Sequence, residues 1–441
     1  MSHAKLFPPS SSARWKHCQG APALERHYPN TSSKYADEGT AAHTLGSDCL
    51  LQKVDATHFL GRVITVENED EPGVISSRSF TVDEDMAANV QVYLDLVRSY
   101  VDQGYTLLVE QRVSFAESTG LSELAAKYPG LIDMTADGFG TSDAILISPD
   151  GTHLIVIDLK YGQGVKVFAQ ENDQMLTYGL GTVETFELLG SFEKVTLIVC
   201  QPRIDHIDPW DTTLERIQQH AQELKDAMVL VLRALERNER GEHVNSYLAP
   251  SEKACTFCKA EAQCPALAKL VAQTVFDDFE ALDDPQKALV GAPPKLPDSH
   301  SLGAKLAVLD LIEDWIKAVR TEGERLVFAG VDVIGPDNLP MKTVEGKKGN
   351  RAWKDEKVAE GLLLGALAPE KAYKPREIIT PSAADKLLNK KRTRETWVQF
   401  MDQITQAPGK PKIALGSDPR PPYKPEGSSI DDFVDLSDPT E

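Results

Sequence analysis

Asp143 closes the segment Gly140-Thr-Ser-Asp, and Asp158 and Lys160 follow a turn later in Ile157-Asp-Leu-Lys. Side chains alternate faces along a strand, so Asp158 and Lys160 share one face. Pro149-Asp150-Gly151 joins their run to the run carrying Asp143, a turn sequence that makes the two a hairpin and brings Asp143 beside them. Two carboxylates converging in this way repel unless something positive lies between them. A hard divalent cation with oxygen ligands, such as Mg²⁺, is the usual answer. A lysine ammonium beside that ion can hold or help deprotonate an attacking water and stabilise charge developing on a phosphate. The plain alternative is an ion-paired strand face. Against it stand the flanking runs Ala144-Ile-Leu-Ile147 and Leu154-Ile-Val-Ile157, because charges deep in apolar surroundings are seldom idle.

Other residues fit the same chemistry. Gln174 and Tyr178 are spaced i, i+4, so on a helix they share a face and both can donate to a phosphate or a water. Taken alone, that spacing also suits surface decoration. Glu38-Gly-Thr-Ala-Ala-His43 places an imidazole in a helix-like stretch. A lone histidine is usually structural, but one beside two carboxylates makes a fitting third metal ligand. Glu110 follows Leu107-Leu-Val109, an acidic residue in an apolar strand and a candidate member of the site.

Six cysteines stand at positions 18, 49, 200, 255, 258 and 264. C-x-x-C is ligand spacing, since two thiolates on a tight turn grasp one metal centre. Cys255, Cys258 and Cys264 supply three ligands within ten residues, and no histidine follows at zinc-finger spacing. Cys18, in Arg14-Trp-Lys-His-Cys18, is the best candidate for the fourth. Iron–sulfur, zinc and unligated thiols all remain open on spacing alone. Cys49 and Cys200 read as core cysteines, which behave as small hydrophobes.

The elements that must position these groups follow from periodicity. Residues 10–60 read as helices separated by loops. Residues 84–103 carry apolar groups at helical spacing, with Asp83 as cap and Gly104 as stop. Tyr105–Phe115 reads as a strand, Thr141–Ser148 and Thr152–Leu159 as a hairpin, Asn172–Leu188 as a helix, Lys194–Cys200 as a buried strand and Thr212–Asn238 as a long amphipathic helix. That order predicts an α/β fold with a mixed sheet. Cys255–Val271 closes the unit, giving a first domain over 1–274. Pro285 and the Pro-rich stretch after Gly291 mark a linker over 275–300. Leu302–Phe328 reads as one long helix opening a basic accessory domain over 301–426. An acidic tail over 427–441 is expected to be disordered.

The chain has 441 residues with 47 Lys+Arg and 67 Asp+Glu, a formal charge of −20. Its hydrophobic content of 41% and charged content of 26% are those of a soluble globular protein. No apolar run approaches the ~18 residues of a membrane span, and the start lacks the apolar core of a signal peptide, so a cytoplasmic protein without a membrane partner is expected. The acidic total argues at first against nucleic acid. It is unevenly spread: residues 341–425 hold 18 Lys+Arg and 10 Asp+Glu, a local +8, leaving −28 elsewhere. Lys347-Lys348, Arg351-Ala-Trp353-Lys354, Lys390-Lys391-Arg392 and Trp397 fall there, cations interleaved with aromatics that suit a polynucleotide or, equally, a solvated basic face.

In order and spacing, the motifs resemble the PD-(D/E)XK nuclease superfamily, and within it the RecB/AddB-type exonucleases. The likeness runs from Ser11 to about Ala268 and rests on Glu38–His43, Gly140–Asp143, Asp158-Leu-Lys160 with Tyr161-Gly162, and Gln174-Met-Leu-Thr-Tyr178. It implies a restriction-endonuclease-like core, a mixed central sheet flanked by helices, with a mainly helical C-terminal accessory region. It further implies Mg²⁺ or Mn²⁺ held by His43, Asp143 and Asp158, with Lys160 catalytic and Gln174 and Tyr178 supporting DNA contact. Glu110 joins them as a catalytic candidate. No proline precedes Asp143, a departure from the superfamily pattern. A distant N-terminal cysteine with a C-terminal C-x₂-C-x₅-C is similar to the iron–sulfur staple of AddB-type and CRISPR-adaptation nucleases. That likeness implies a 4Fe–4S cluster on Cys18, Cys255, Cys258 and Cys264, outside the chemistry. The C-terminal arrangement looks like that of a phage- and prophage-borne family of such nucleases. The implied activity is a metal-dependent DNA exonuclease acting in phage recombination or repair, in the host cytoplasm. Its implied partners are linear double-stranded DNA ends and a single-strand annealing or single-strand-binding protein. Two alternatives are an inactive nuclease-fold protein that binds DNA ends or a recombination partner, and an interaction protein whose cysteines bind zinc.

Overall fold

The apolar runs flanking Asp143 and Asp158 become neighbouring strands of one five-stranded sheet. The computed structural model describes residues 6–28, 32–71, 74–276, 299–335 and 338–341. The basic segment beyond Met341 and the acidic tail lie outside the described residues. The chain divides into two compact units, Met1–Ala292 with Asp310–Val331, and Pro293–Leu309 with Asp332–Glu441.

In the first unit the chain forms helices α1 (Ser12–His17), α2 (Ala21–Glu25) and α3 (Lys34–Gln52), a two-stranded hairpin β1 (Val63–Glu71) and β2 (Val74–Thr81), and helix α4 (Glu84–Val101). Strand β3 (Thr106–Ser114), helix α5 (Leu121–Lys127), strands β4 (Phe139–Ile147) and β5 (His153–Leu159) and helix α6 (Asp173–Thr185) come next. Strands β6 (Lys194–Gln201) and β7 (His206–Thr212), then helices α7 (Leu214–Glu239), α8 (Glu252–Cys255) and α9 (Pro265–Phe276), complete the run. The start of α4 is capped as the sequence suggests, the Asp83 side chain accepting from Met86 N, and at α6 Asn172 accepts from Gln174 N and Met175 N.

The sheet order is β3-β4-β5-β6-β7, with β5 and β6 parallel and the other pairs antiparallel. The expected α/β fold with a mixed sheet flanked by helices is present. One face packs Ile145, Ile147, Leu154, Val156 and Leu197 against α6 and α7. The other packs Ala144, Leu146, Ile155, Ile157 and Ile198 against α3 and α4. Burial on both faces explains why these strands read as continuous apolar runs rather than alternating ones.

Three features differ from the sequence reading. The β1–β2 hairpin was not foreseen; among the described side chains of β1, Ile64 and Val66 are buried, in the cluster that includes α3 and α4. Strand β7 contains Pro209, which a sheet edge tolerates because no ladder needs its missing N–H. The single helix expected over Leu302–Phe328 is two, α10 (Ser299–Leu306) and α11 (Leu309–Phe328), interrupted by a turn at Ala307 and Val308. Leu311 and Trp315 of α11 pack with Cys255, Cys264 and Leu267 in the first unit. In the second unit the described residues comprise α10 and a short antiparallel bridge, Ile334 to Pro340. Among the described residues no helix is long and apolar enough to cross a membrane.

Candidate active site

The antiparallel registers bring three carboxylates into a row. In β3–β4, Val109 pairs with Ala144 and Gln111 with Ser142, so Glu110 stands at the position opposite Asp143. In β4–β5 the last pair is Ala144 with Ile157, so Asp143 and Asp158 are the next residues of the two strands where the ladder ends. Directly opposed residues of a strand pair have neighbouring side chains, and here three strands contribute one acid each. Glu110 achieves this with φ of 51°, left-handed backbone that is unusual within a strand. The alternation of β3 inverts there. Leu108 packs on the α6–α7 side, and Val113 and Phe115, of opposite parity, pack on that side too.

His43 of α3 completes a group of metal-ligating type. Its Nδ1 lies 3.2 Å from Asp143 Oδ1, and ligand atoms of His43, Glu110 and Asp143 all lie within 4.8 Å of one another. Glu110 Oε2 is buried without a hydrogen-bond partner. Imidazole nitrogen and carboxylate oxygens suit Mg²⁺ or Mn²⁺, and a cation there would satisfy the unpartnered oxygen. The groups act strongly on one another's ionisation. Burial, with Asp143 adding to it, pushes the Glu110 carboxyl up to about 7. Burial alone would lower His43, but Asp143 and Asp158 raise it to about 9. Burial also opposes ionisation of Asp143, yet His43, the Leu159 N–H and Lys160 hold its carboxyl below the ordinary range. The Leu159 N–H donates to Asp143 Oδ2 at 2.7 Å.

Asp158 belongs to a second group. Its Oδ2 lies 2.9 Å from Lys160 Nζ, and Gln174 Nε2 donates to its Oδ1 at 3.3 Å. Lys160 Nζ donates to Gln174 Oε1 at 2.9 Å, and Gln174 Nε2 reaches the Tyr178 hydroxyl at 3.5 Å. Burial outweighs Lys160 and keeps the Asp158 carboxyl above its ordinary range. Burial does the same for the Tyr178 phenol, which is therefore a neutral hydrogen-bonding group. The structure thus gathers all seven residues singled out in sequence, with Glu110 rather than Asp158 in the tight group around His43. A cleft of about 750 Å³ opens beside Glu110, lined by Thr40 and Thr44 of α3, Thr65 of β1, and Arg112 and Thr141 of the sheet. Arg112, which sequence reading passed over, lies with its guanidinium 3.5 Å from the Phe139 ring centroid.

The cysteines gather at the other end of α1. Cys18 follows that helix as its C-cap, and Ala249 N donates to its Sγ at 3.3 Å. Gly20 N donates to Tyr247 O at 2.8 Å, Arg14 Nη1 to Phe257 O at 2.9 Å and Lys259 N to Glu25 Oε1 at 3.0 Å. These bonds stitch residues 14–25 onto the segment carrying Cys255 and Cys258. Cys18, Cys255 and Cys264 are buried, and Cys258 is partly so. Burial pushes the Cys255 thiol up to about 11, with Cys18 and Cys264 adding to it, and raises Cys18 and Cys258 as well. Among the described residues, no three of these sulfurs fall within 4.8 Å of one another. Cys49 and Cys200 lie in the core beside α3 and α4.

The structure reported as "Crystal structure of SSO0001" is similar to part of the chain, at 17% identity over 41% of this chain and 67% of that one, with a TM-score of 0.20. The family model "Protein of unknown function (DUF2800)" matches residues 3–421, nearly the whole length, and the chain belongs to that family.

Proposed function

We propose that the protein is a Mg²⁺- or Mn²⁺-dependent deoxyribonuclease with a restriction-endonuclease-like core of the RecB/AddB type. The observation that carries this reading is the convergence of His43, Glu110 and Asp143 next to the Asp158–Lys160–Gln174 group. His43, Glu110 and Asp143 would hold the ion. When bound, the ion polarises a phosphate oxygen and lowers the pKa of a coordinated water. Lys160 is half-buried with its ammonium held by Asp158 and Gln174, where it would face the attacking water and the scissile phosphate. Gln174 holds Lys160 and Asp158 in place and Tyr178 backs it; support for DNA contact would come from this pair, and the cleft beside Glu110 would admit the strand. The four-cysteine group would hold a 4Fe–4S cluster as a staple between residues 18 and 264, apart from the chemistry. The role that fits is exonucleolytic resection of linear double-stranded DNA ends in phage recombination or repair, alongside a single-strand annealing or single-strand-binding protein in the bacterial cytoplasm.

The deciding experiment is digestion of 5′- and 3′-end-labelled linear DNA, and of circular DNA, in Mg²⁺ and then Mn²⁺. Release of nucleotides from linear but not circular DNA is expected, and the labels give the polarity. A folded protein that releases nothing in either metal sinks the enzymatic reading and favours a DNA-end-binding protein.

A further inference from the structure

The helix that presents Gln174 is anchored by a charge outside the site. Asp173, the first residue of α6, is only 5% exposed. Lys16 Nζ lies 2.6 Å from its Oδ1, and His17 Nε2 lies 2.9 Å from its Oδ2. Lys16 pairs with Glu223 as well, so its ammonium bridges the two carboxylates. Thr177 Oγ1 donates to the Asp173 carbonyl at 2.6 Å and lies 2.9 Å from His220 Nε2. The ligand atoms of Asp173, His220 and Glu223 lie close enough to suggest a metal, but Lys16 already supplies the positive charge. Burial opposes ionisation of Asp173, yet His17 and Lys16 hold its carboxyl well below the ordinary range.

This cluster links the segment of Cys18 to the Lys160 group. Lys16 and His17 end α1, and Cys18 comes next. Gln174 follows Asp173 and is the group whose amide touches Lys160, Asp158 and Tyr178. We propose that Asp173 is a positioning residue: clamped by Lys16 and His17, it fixes the first turn of α6 so that the Gln174 amide aligns Lys160 with Asp158, and it makes that alignment depend on the segment carrying Cys18. The catalytic consequence rests on the nuclease reading, while the structural coupling does not. Small misplacements of an orienting group cost rate rather than affinity.

The test uses the full-length chain with Asp173→Asn and Lys16→Gln, the second keeping His17 on Asp173 in case the first variant folds poorly. Each is expected to lower kcat about tenfold or more with KM within about twofold. In a Gln174→Ala background, Asp173→Asn should add little, because both act through one amide. Lys16→Arg should restore most of the rate. Hydrogen exchange followed by mass spectrometry should quicken over residues 172–180 in both variants and stay unchanged over β4 and β5. Exchange needs no cleavage, so a wild-type protein that cuts no DNA would sink the nuclease reading while this coupling is still decided. Unchanged exchange over 172–180 in both variants overturns the proposal, as does an Asp173→Asn loss that multiplies in full with that of Gln174→Ala.

Discussion

Glu110 stands opposite Asp143 across the β3–β4 ladder with its backbone in the left-handed region, at φ of 51°. For a residue with a Cβ that conformation costs about 1–2 kcal/mol. Its Oε2 is buried and unpartnered, which adds a further desolvation cost. A cation between Glu110, Asp143 and His43 would satisfy the orphaned oxygen, which is what the proposed ligand role predicts, while the backbone cost stays with the fold.

Glu110→Gln keeps the shape and removes the charge. Mn²⁺ affinity measured by titration calorimetry should fall by at least the roughly 10–100-fold that losing an outer-shell partner of a metal site brings. Thermal stability of the metal-free variant at alkaline pH should equal or exceed that of wild type, because a carboxyl pushed up to about 7 is unfavourable once ionised. Unchanged Mn²⁺ affinity would remove Glu110 from the site.

The pH dependence has a definite sign. Glu110 is raised from 4.5 to about 7 and His43 from 6.5 to about 9. A raised folded-state pKa contributes stability that is full below the unfolded value and is lost as pH rises through the folded one. Glu110 therefore withdraws its contribution from 4.5 to about 7, and His43 from 6.5 to about 9. Metal binding needs the deprotonated forms of both and releases their protons. The Tm gained on adding Mn²⁺ should accordingly grow from about pH 6 to about pH 9. Differential scanning calorimetry with and without Mn²⁺ checks this, and a gain that shrinks over that range contradicts the ligand assignment.

Gly140 lies where the chain passes beneath Tyr178. A Cβ there would sit 2.6 Å from Pro9 Cγ and 2.9 Å from Tyr178 Cε1. Gly140→Ala should destabilise the fold by about 1–3 kcal/mol through overpacking, and it should lower activity by displacing Tyr178 from Gln174. Urea unfolding read beside nuclease rate tests both halves; wild-type values for each would show that Pro9 and Tyr178 yield without consequence.

The hairpin that carries Asp143, Asp158 and Lys160 was legible because a Pro-Asp-Gly turn sits between two apolar runs and strand alternation then fixes the shared face. Helix α4 was legible from its spacing and its Asp83 cap. Other parts depend on tertiary context. The described side chains of the β1–β2 hairpin are mostly exposed, and β7 carries a proline that its edge position excuses. Glu110 was noticed as an acid in an apolar strand, but its left-handed backbone leaves no trace in composition. Asp173 finds Lys16 and His17 more than 150 residues away, a pairing that no local pattern announces.

Lys160→Ala separates chemistry from folding. Lys160 is half-buried, and its loss leaves Asp158 with the Gln174 amide and a carboxyl already raised by burial. Stability should fall by no more than about 1–3 kcal/mol and DNA binding should persist, while cleavage drops by roughly 10²–10⁴-fold. Rapid digestion by this variant in Mg²⁺ would take the catalytic role away from Lys160.

The cysteine group makes a prediction that can be seen before it is measured. Residues 14–25, with Cys18 among them, are bonded onto the segment from Tyr247 to Lys259 that carries Cys255 and Cys258. If four thiolates hold a cluster there, anaerobically purified protein should be brown with broad visible absorption and carry about four irons per chain. Cys18→Ser should bleach it and loosen the N-terminal helices, since one ligand ties both ends of the first unit. Because Lys16 and His17 immediately precede Cys18, the same variant should also quicken exchange at the start of α6. A colourless protein loaded with zinc would replace the iron–sulfur assignment with a structural zinc site.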